Sequence, residues 1–183
     1  MIEIVIHGRG GQGAVTTGQL LAIAAFYDDK QSQTFPMFGV ERCGAPVKAF
    51  VRLSDEKINL RSHVYTPDIV VVLEPSLVKK VDVTKGLKKK GLVVINSNKK
   101  PSTFGIKGDF DVKTVDATAV ALEIFKKPIV NTAMLGAFSA VTELVSLGSL
   151  EKAIDEIFIE RKGKKIADLN KKVVREVYHN ARK

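Results

Sequence analysis

Six residues, Gly8-Arg9-Gly10-Gly11-Gln12-Gly13, hold the first chemistry that the sequence suggests. Gly8, Gly10 and Gly13 satisfy the G-x-G-x-x-G spacing between a β-branched stretch, Ile2 to His7, and an Ala- and Leu-rich run, Ala14 to Phe26. Such a turn lets a ligand approach the backbone and presents it to the N-terminus of a helix, whose free N–H groups suit an anion. Three readings stay open: a dinucleotide, another phosphate, or a structural glycine turn. For a dinucleotide, an acid is expected at the end of the second strand to bind the ribose. The segment after the first helix is Lys30-Gln-Ser-Gln-Thr34, with no acid at its end, and Asp28 and Asp29 fall too early.

A second stretch, Phe35-Pro-Met-Phe-Gly-Val-Glu-Arg-Cys-Gly-Ala-Pro46, combines two prolines and two glycines with Phe35, Met37, Phe38 and Val40. It reads as a loop whose apolar side chains are either covered by a partner or tucked into their own domain. Glu41 and Arg42 then face a ligand or neighbour, or pair with each other. No nucleophile elbow, no Walker lysine and no H-E-x-x-H occurs, and His7, His63 and His179 stand apart. A metal site is therefore not expected, and the lone Cys43 is read as a passenger despite Arg42 beside it. These residues describe a binding or assembly domain.

The elements that must position the two loops are legible in part. Val47, Ala49, Val51 and Leu53 alternate on one face of a strand that is followed by the turn Ser54-Asp55-Glu56, with Ile58 to Leu60 expected to complete an antiparallel hairpin. Asp68 to Leu73 and Gly91 to Asn96 are continuous apolar runs of the kind buried on both faces, and Asp111 to Val115 is a weaker third. Ser76 to Lys90 reads as helical. A helix from Asn131 to near Gly148 is expected, then one capped by Ser149, then one after Gly163 carrying Ile166, Leu169, Val173, Val174 and Val177. Together they give an α/β fold, a mostly parallel Rossmann-like sheet with flanking helices, one antiparallel hairpin and a helical C-terminal region.

Length, composition and charge bound the rest. The 183 residues, 45% hydrophobic and 27% charged, fit one domain, residues 1–183, without a membrane span or a signal peptide. A cytoplasmic location is the expectation. One cysteine excludes an iron–sulfur cluster held by this chain alone. The net charge of +9 arises beyond residue 60, and Lys79 to Lys107 holds nine lysines against one acid, Asp82. These lysines are not interleaved with aromatics, so nucleic acid is not expected, and a solvated face is the default reading.

The two loops together resemble a known family. His7 to Ala14 (H-G-R-G-G-Q-G-A) and Phe35 to Phe50 (F-P-M-F-G-V-E-R-C-G-A-P-V-K-A-F) look like the gamma subunit of 2-oxoacid:ferredoxin oxidoreductases. Pro67 to Leu73 and Asn131 to Ala137 are similar to further segments of that family, and the E-R-x-G-A-P form resembles its pyruvate and branched-chain members. The resemblance implies a non-catalytic subunit of an enzyme that converts a 2-oxoacid and coenzyme A to acyl-CoA and carbon dioxide with reduction of ferredoxin. It implies no cofactor on this chain. Thiamine diphosphate, magnesium and iron–sulfur clusters belong on alpha-, beta- and delta-type partner subunits. Two readings of the loops then stay open: Gly8, Arg9, Gly10, Gly11, Gln12, Gly13, Glu41, Arg42 and Lys48 face the catalytic subunits at or near the entry of coenzyme A, or both loops serve assembly alone. The alternative is a stand-alone NAD(P)-binding oxidoreductase.

Overall fold

The computed structural model describes residues 1–37 and 44–183. The chain enters through β1 (Ile2–Arg9), whose β-branched residues favour extended backbone, and turns through the glycines into α1 (Ala14–Tyr27). β2 (Gln31–Pro36) and β3 (Pro46–Ser54) follow, then β4 (Ile69–Val72), β5 (Leu92–Asn96) and β6 (Asp111–Val115). The end of the chain is helical: α2 (Ala117–Phe125), α3 (Ala133–Thr142), α4 (Leu147–Lys162) and α5 (Lys164–Ala181).

The six described strands form one sheet in the order β2-β3-β1-β4-β5-β6. β1, β4, β5 and β6 pair in parallel, while β3 runs antiparallel to both β1 and β2. The antiparallel hairpin is therefore made by β2 and β3. Ile58 to Leu60 forms no strand, because both edges of β3 are already taken.

Strand side chains alternate between two cores. Ile4, Ile6, Val47, Ala49, Val51, Leu53, Ile69 and Val71 face the five helices. Val5, Phe50, Val70, Val72, Val93 and Ile95 face a layer without α-helix, made by Val64, residues 77–87 and residues 104–110. The expectation of a helix over Ser76 to Lys90 is corrected here: only a short 3-10 turn, Pro75–Lys79, forms. The β-branched Val81, Val83 and Thr84 disfavour helix, and the Asp82 carboxylate accepts hydrogen bonds from the Thr84 N–H (3.0 Å) and hydroxyl (2.9 Å), which fixes a turn instead.

The helix boundaries also differ from the sequence reading. α3 stops at Thr142, where Glu143 turns left-handed, and α4 starts two residues before Ser149, capped by Ser146. Ser146 accepts the Ser149 N–H at 3.1 Å and is held by Asp28, so the cap is set by a residue at the far end of α1. α2 starts at the N-cap Asp116, whose carboxylate accepts the Ala119 N–H at 2.9 Å. Among the described residues no helix is long and apolar enough to cross a membrane.

Candidate functional site

The glycine turn closes on itself. The Gln12 N–H donates to the Arg9 carbonyl at 2.9 Å, and the Arg9 N–H donates to the Gln12 side-chain oxygen at 2.8 Å. Gly11 and Gly13 are left-handed, at φ 90° and 83°. Gly13 is the N-cap of α1 and offers no side chain, and the first turn of α1 holds no acid. The first amides of a 14-residue helix thus lack an intrahelical acceptor, and a cleft of about 490 Å³ opens beside them. Its walls are Ile129 and Asn131 from the α2–α3 connection and Ile157 and Phe158 from α4, with Arg161 and Lys162 at the end of α4. An anion fits this setting on charge. The Asn131 side-chain oxygen is buried there with no hydrogen-bond partner.

Gly13 is required for two reasons: a Cβ at this φ is strained, and it would stand 2.7 Å from the Asn131 amide nitrogen. Gly13→Ala is expected to lower stability by about 2 kcal/mol, roughly half from the left-handed backbone and the rest from displacing Asn131. An unchanged urea midpoint would show that the turn tolerates a side chain.

Arg9 and Gln12 point the other way, toward β4. Arg9 donates from Nη1 to the Gly44 carbonyl at 2.9 Å and from Nη2 to the Ser76 hydroxyl at 2.8 Å. Gln12 Nε2 donates to Glu74 at 3.2 Å. Burial alone would raise the Glu74 carboxyl, but hydrogen bonds from Ser76 and Gln12 and the Arg9 charge outweigh it and hold the group below the usual range. Gly10 donates to the Ala45 carbonyl at 2.8 Å and accepts from the Gly44 N–H at 3.1 Å, so the first loop is bonded to the returning end of the second. Glu41 and Arg42 lie outside the described residues, as do Phe38, Val40 and Cys43. Phe35 tucks into its own domain, 5.3 Å from the Phe50 ring, whereas Met37 is exposed.

These contacts do not favour a dinucleotide. In a doubly wound sheet the ligand lies in the crevice between strands whose connections leave to opposite faces. Here that crevice is between β1 and β4, and it is cross-tied by Arg9 to Ser76 and by Gln12 to Glu74, an acid that repels phosphate. The place beside β1 where a ribose-binding strand would end is filled by antiparallel β3, with Pro46 opposite Arg9.

Lys48 is not brought to this corner. It pairs with His7 across β1 and β3, and its side chain leaves on the sheet face away from α1. Of the proposed site, residues 8–13 thus form one unit, Arg9 serves as its tie to the β4 end, and Lys48 stands apart. Glu74, Ser76 and Arg161 escaped the sequence reading. A signal did exist for Glu74 and Ser76, since they follow directly on the apolar run of a strand that could lie beside β1. None of the described His, Cys, Asp and Glu residues gather in threes as a metal ion would need.

Comparison with known proteins shows what the whole chain is similar to. Residues 3–179 match the family model described as pyruvate ferredoxin/flavodoxin oxidoreductase. The chain is 54% identical over 167 residues to the pyruvate synthase subunit PorC of Methanocaldococcus jannaschii, covering 91% of this chain and 92% of that one. It is 50% identical over 193 residues to the common subunit gamma of the pyruvate/ketoisovalerate oxidoreductases of Thermococcus kodakarensis, covering 97% and 100%. Among solved structures, pyruvate oxidoreductase subunit PORC of Thermotoga maritima superposes with a TM-score of 0.84 at 38% identity, over 98% of this chain and 96% of that one. A 2-oxoglutarate:ferredoxin oxidoreductase from Magnetococcus marinus shares the fold at a TM-score of 0.80 and 21% identity, with this chain matching 31% of its length.

Proposed function

Because this chain belongs to the pyruvate ferredoxin/flavodoxin oxidoreductase family, we propose that it is the gamma subunit of a multi-subunit 2-oxoacid:ferredoxin oxidoreductase with pyruvate as substrate. The observation that carries this reading is the likeness, at 54% identity and over nine-tenths of both chains, to a protein named as a pyruvate synthase subunit. The whole enzyme would convert the 2-oxoacid and coenzyme A to acyl-CoA and carbon dioxide while reducing ferredoxin. Thiamine diphosphate, magnesium and iron–sulfur clusters would sit on alpha-, beta- and delta-type partners.

This chain's part is to assemble with those subunits and to border the entry of coenzyme A. The pyrophosphate and 3′-phosphate of that molecule need fixed N–H donors and cations. The uncapped start of α1 supplies the former, and Arg161, Lys162 and Arg42 are the cations in this reading. Arg9 holds the glycine turn in place through Gly44 and Ser76 rather than reaching into the cleft. The stand-alone NAD(P) alternative is not favoured.

Calorimetry on the assembled complex tests the reading. Arg161→Ala and Arg42→Ala are each expected to weaken coenzyme A binding by about tenfold, the size of one lost charge-assisted hydrogen bond. Arg9→Ala is expected to weaken it as well, by loosening the turn. If all three leave both coenzyme A affinity and assembly unchanged, the assignment is wrong. If assembly alone suffers, both loops serve contact between subunits only.

A further inference from the structure

The sheet face away from the α-helices carries a small cavity of about 220 Å³ near the C-terminal end of β1. Its floor is apolar, made by Val5, Phe50, Val64 and Val83, and two cations, Lys48 and Lys85, stand on its rim. His7, 2% exposed, lies directly opposite Lys48 in the strand register. No carboxylate lines the cavity among the described residues. Asp82, whose charge reaches Lys48, already accepts two hydrogen bonds from Thr84. Burial, and then the Lys85 charge, pull the Lys48 ammonium below its ordinary pKa, with Asp82 opposing only in part. Two like charges line one pocket, Lys48 partly buried and Lys85 exposed, so an anion placed between them would offset their repulsion and the burial of Lys48.

Two observations say what kind of anion. The cavity is smaller than the roughly 300 Å³ at which pockets begin to enclose a small-molecule ligand, yet it accommodates one side chain. Its mouth is flanked by Met37, 45% exposed, and Tyr65, 71% exposed and stacked edge-on to His63. A free phosphate or carboxylate gains nothing from such apolar flanks. A protein segment does, because Met and Tyr are the residue types enriched at the centre of subunit interfaces.

We propose that this cavity is a docking socket for an acidic side chain, Asp or Glu, carried on an apolar segment of another subunit of the oxidoreductase. The carboxylate enters between Lys48 and Lys85, and the flanking apolar residues of that segment cover Met37 and Tyr65. The proposal rests on the subunit reading above and goes beyond it, by giving Lys48 to assembly rather than to coenzyme A.

The test uses the native complex. Carbodiimide, which joins an amine to a carboxylate with no spacer, is applied and the products are mapped by mass spectrometry. Lys48 or Lys85 is expected to be joined to an Asp or Glu of a different subunit. Lys48→Glu with Lys85→Glu is expected to raise the apparent dissociation constant for assembly at least tenfold, with the far-UV circular dichroism of the chain unchanged. Lys48→Gln is expected to have a smaller effect, and high salt to weaken assembly of the native chain. If the charge-reversed chain joins the complex as the native one does, or both lysines remain as open to acetylation in the complex as outside it, the proposal fails. A drop in affinity for coenzyme A or inorganic phosphate with assembly intact overturns it in favour of a small-anion site, and a cross-link to a second copy of this chain overturns it too. Failure of the native chain to assemble with any such subunit would instead sink the subunit reading itself.

Discussion

Replacing Gly136 by alanine is expected to destabilise the protein by about 2 kcal/mol, although alanine is the better helix former. Gly136 lies in α3 where that helix crosses α5, and a Cβ there would stand 2.3 Å from the Val174 carbonyl oxygen and 3.1 Å from the Tyr178 nitrogen. The obstacle is backbone, so no rotamer change relieves it. Nor can α5 retreat easily, because Val173, Val174 and Val177 are fully buried. Overpacking of this kind costs about 3 kcal/mol, and the gain in helix propensity offsets only about 1. Urea unfolding would show a lowered midpoint at an unchanged slope. Gly148→Ala is the control: it lies in α4 with open space around its Cβ, so the same substitution should be neutral or slightly stabilising. Equal stability of the two variants would mean that the α3–α5 crossing has room to spare.

Acid is expected to weaken the fold through His7. His7 sits on β1 between β3 and β4, its imidazole is buried on the sheet face away from α1, and its pKa falls from 6.5 to about 4. Burial is the main cause and the Lys48 charge adds to it, while Asp82 and a backbone hydrogen bond to Val83 oppose it. His7 is therefore neutral when folded, and the unfolded chain takes up a proton first. The stabilisation is fully present above about pH 6.5. It is lost as pH falls through the window toward 4, and it changes no further once both states are protonated. A shift of this size corresponds to about 3 kcal/mol in order of magnitude. Measured urea midpoints should decline across that window in the native chain, and His7→Gln should flatten the decline. Parallel curves for the two proteins would mean that His7 does not titrate as its burial implies.

Much of the site could be read locally. The glycine turn, the strand before it and the helix after it follow from adjacent residues, because left-handed backbone at Gly11 and Gly13 and a helix free of early acids are properties of a few neighbours. The alternation Val47, Ala49, Val51, Leu53 put Lys48 on the opposite face of its strand, and the register confirms that division. The likeness carried by the two loops also proved sound as a statement of family.

Other parts had no local signal. β2, Gln31–Pro36, is polar and becomes a strand because β3 pairs with it, and Ile58 to Leu60 is excluded by that same pairing. Lys-rich residues 76–90 look helical by composition, but β-branched residues and the Asp82 turn prevail over it, and Leu77, Val83 and Leu87 pack on the sheet without a helix. Arg9 meets Ser76 across 67 residues, which depends on β1 and β4 lying side by side.

A glycine-turned strand and helix and two β faces are legible in the residues alone. Tertiary packing places Arg9 and Lys48 on different surfaces, brings Glu74 to the crevice and opens the start of α1 toward Arg161. The reason is physical: backbone dihedrals are set by near neighbours, whereas the direction in which a charge finally points depends on strand order and register. Those follow from burying two apolar faces at once, which no short stretch of chain can do alone.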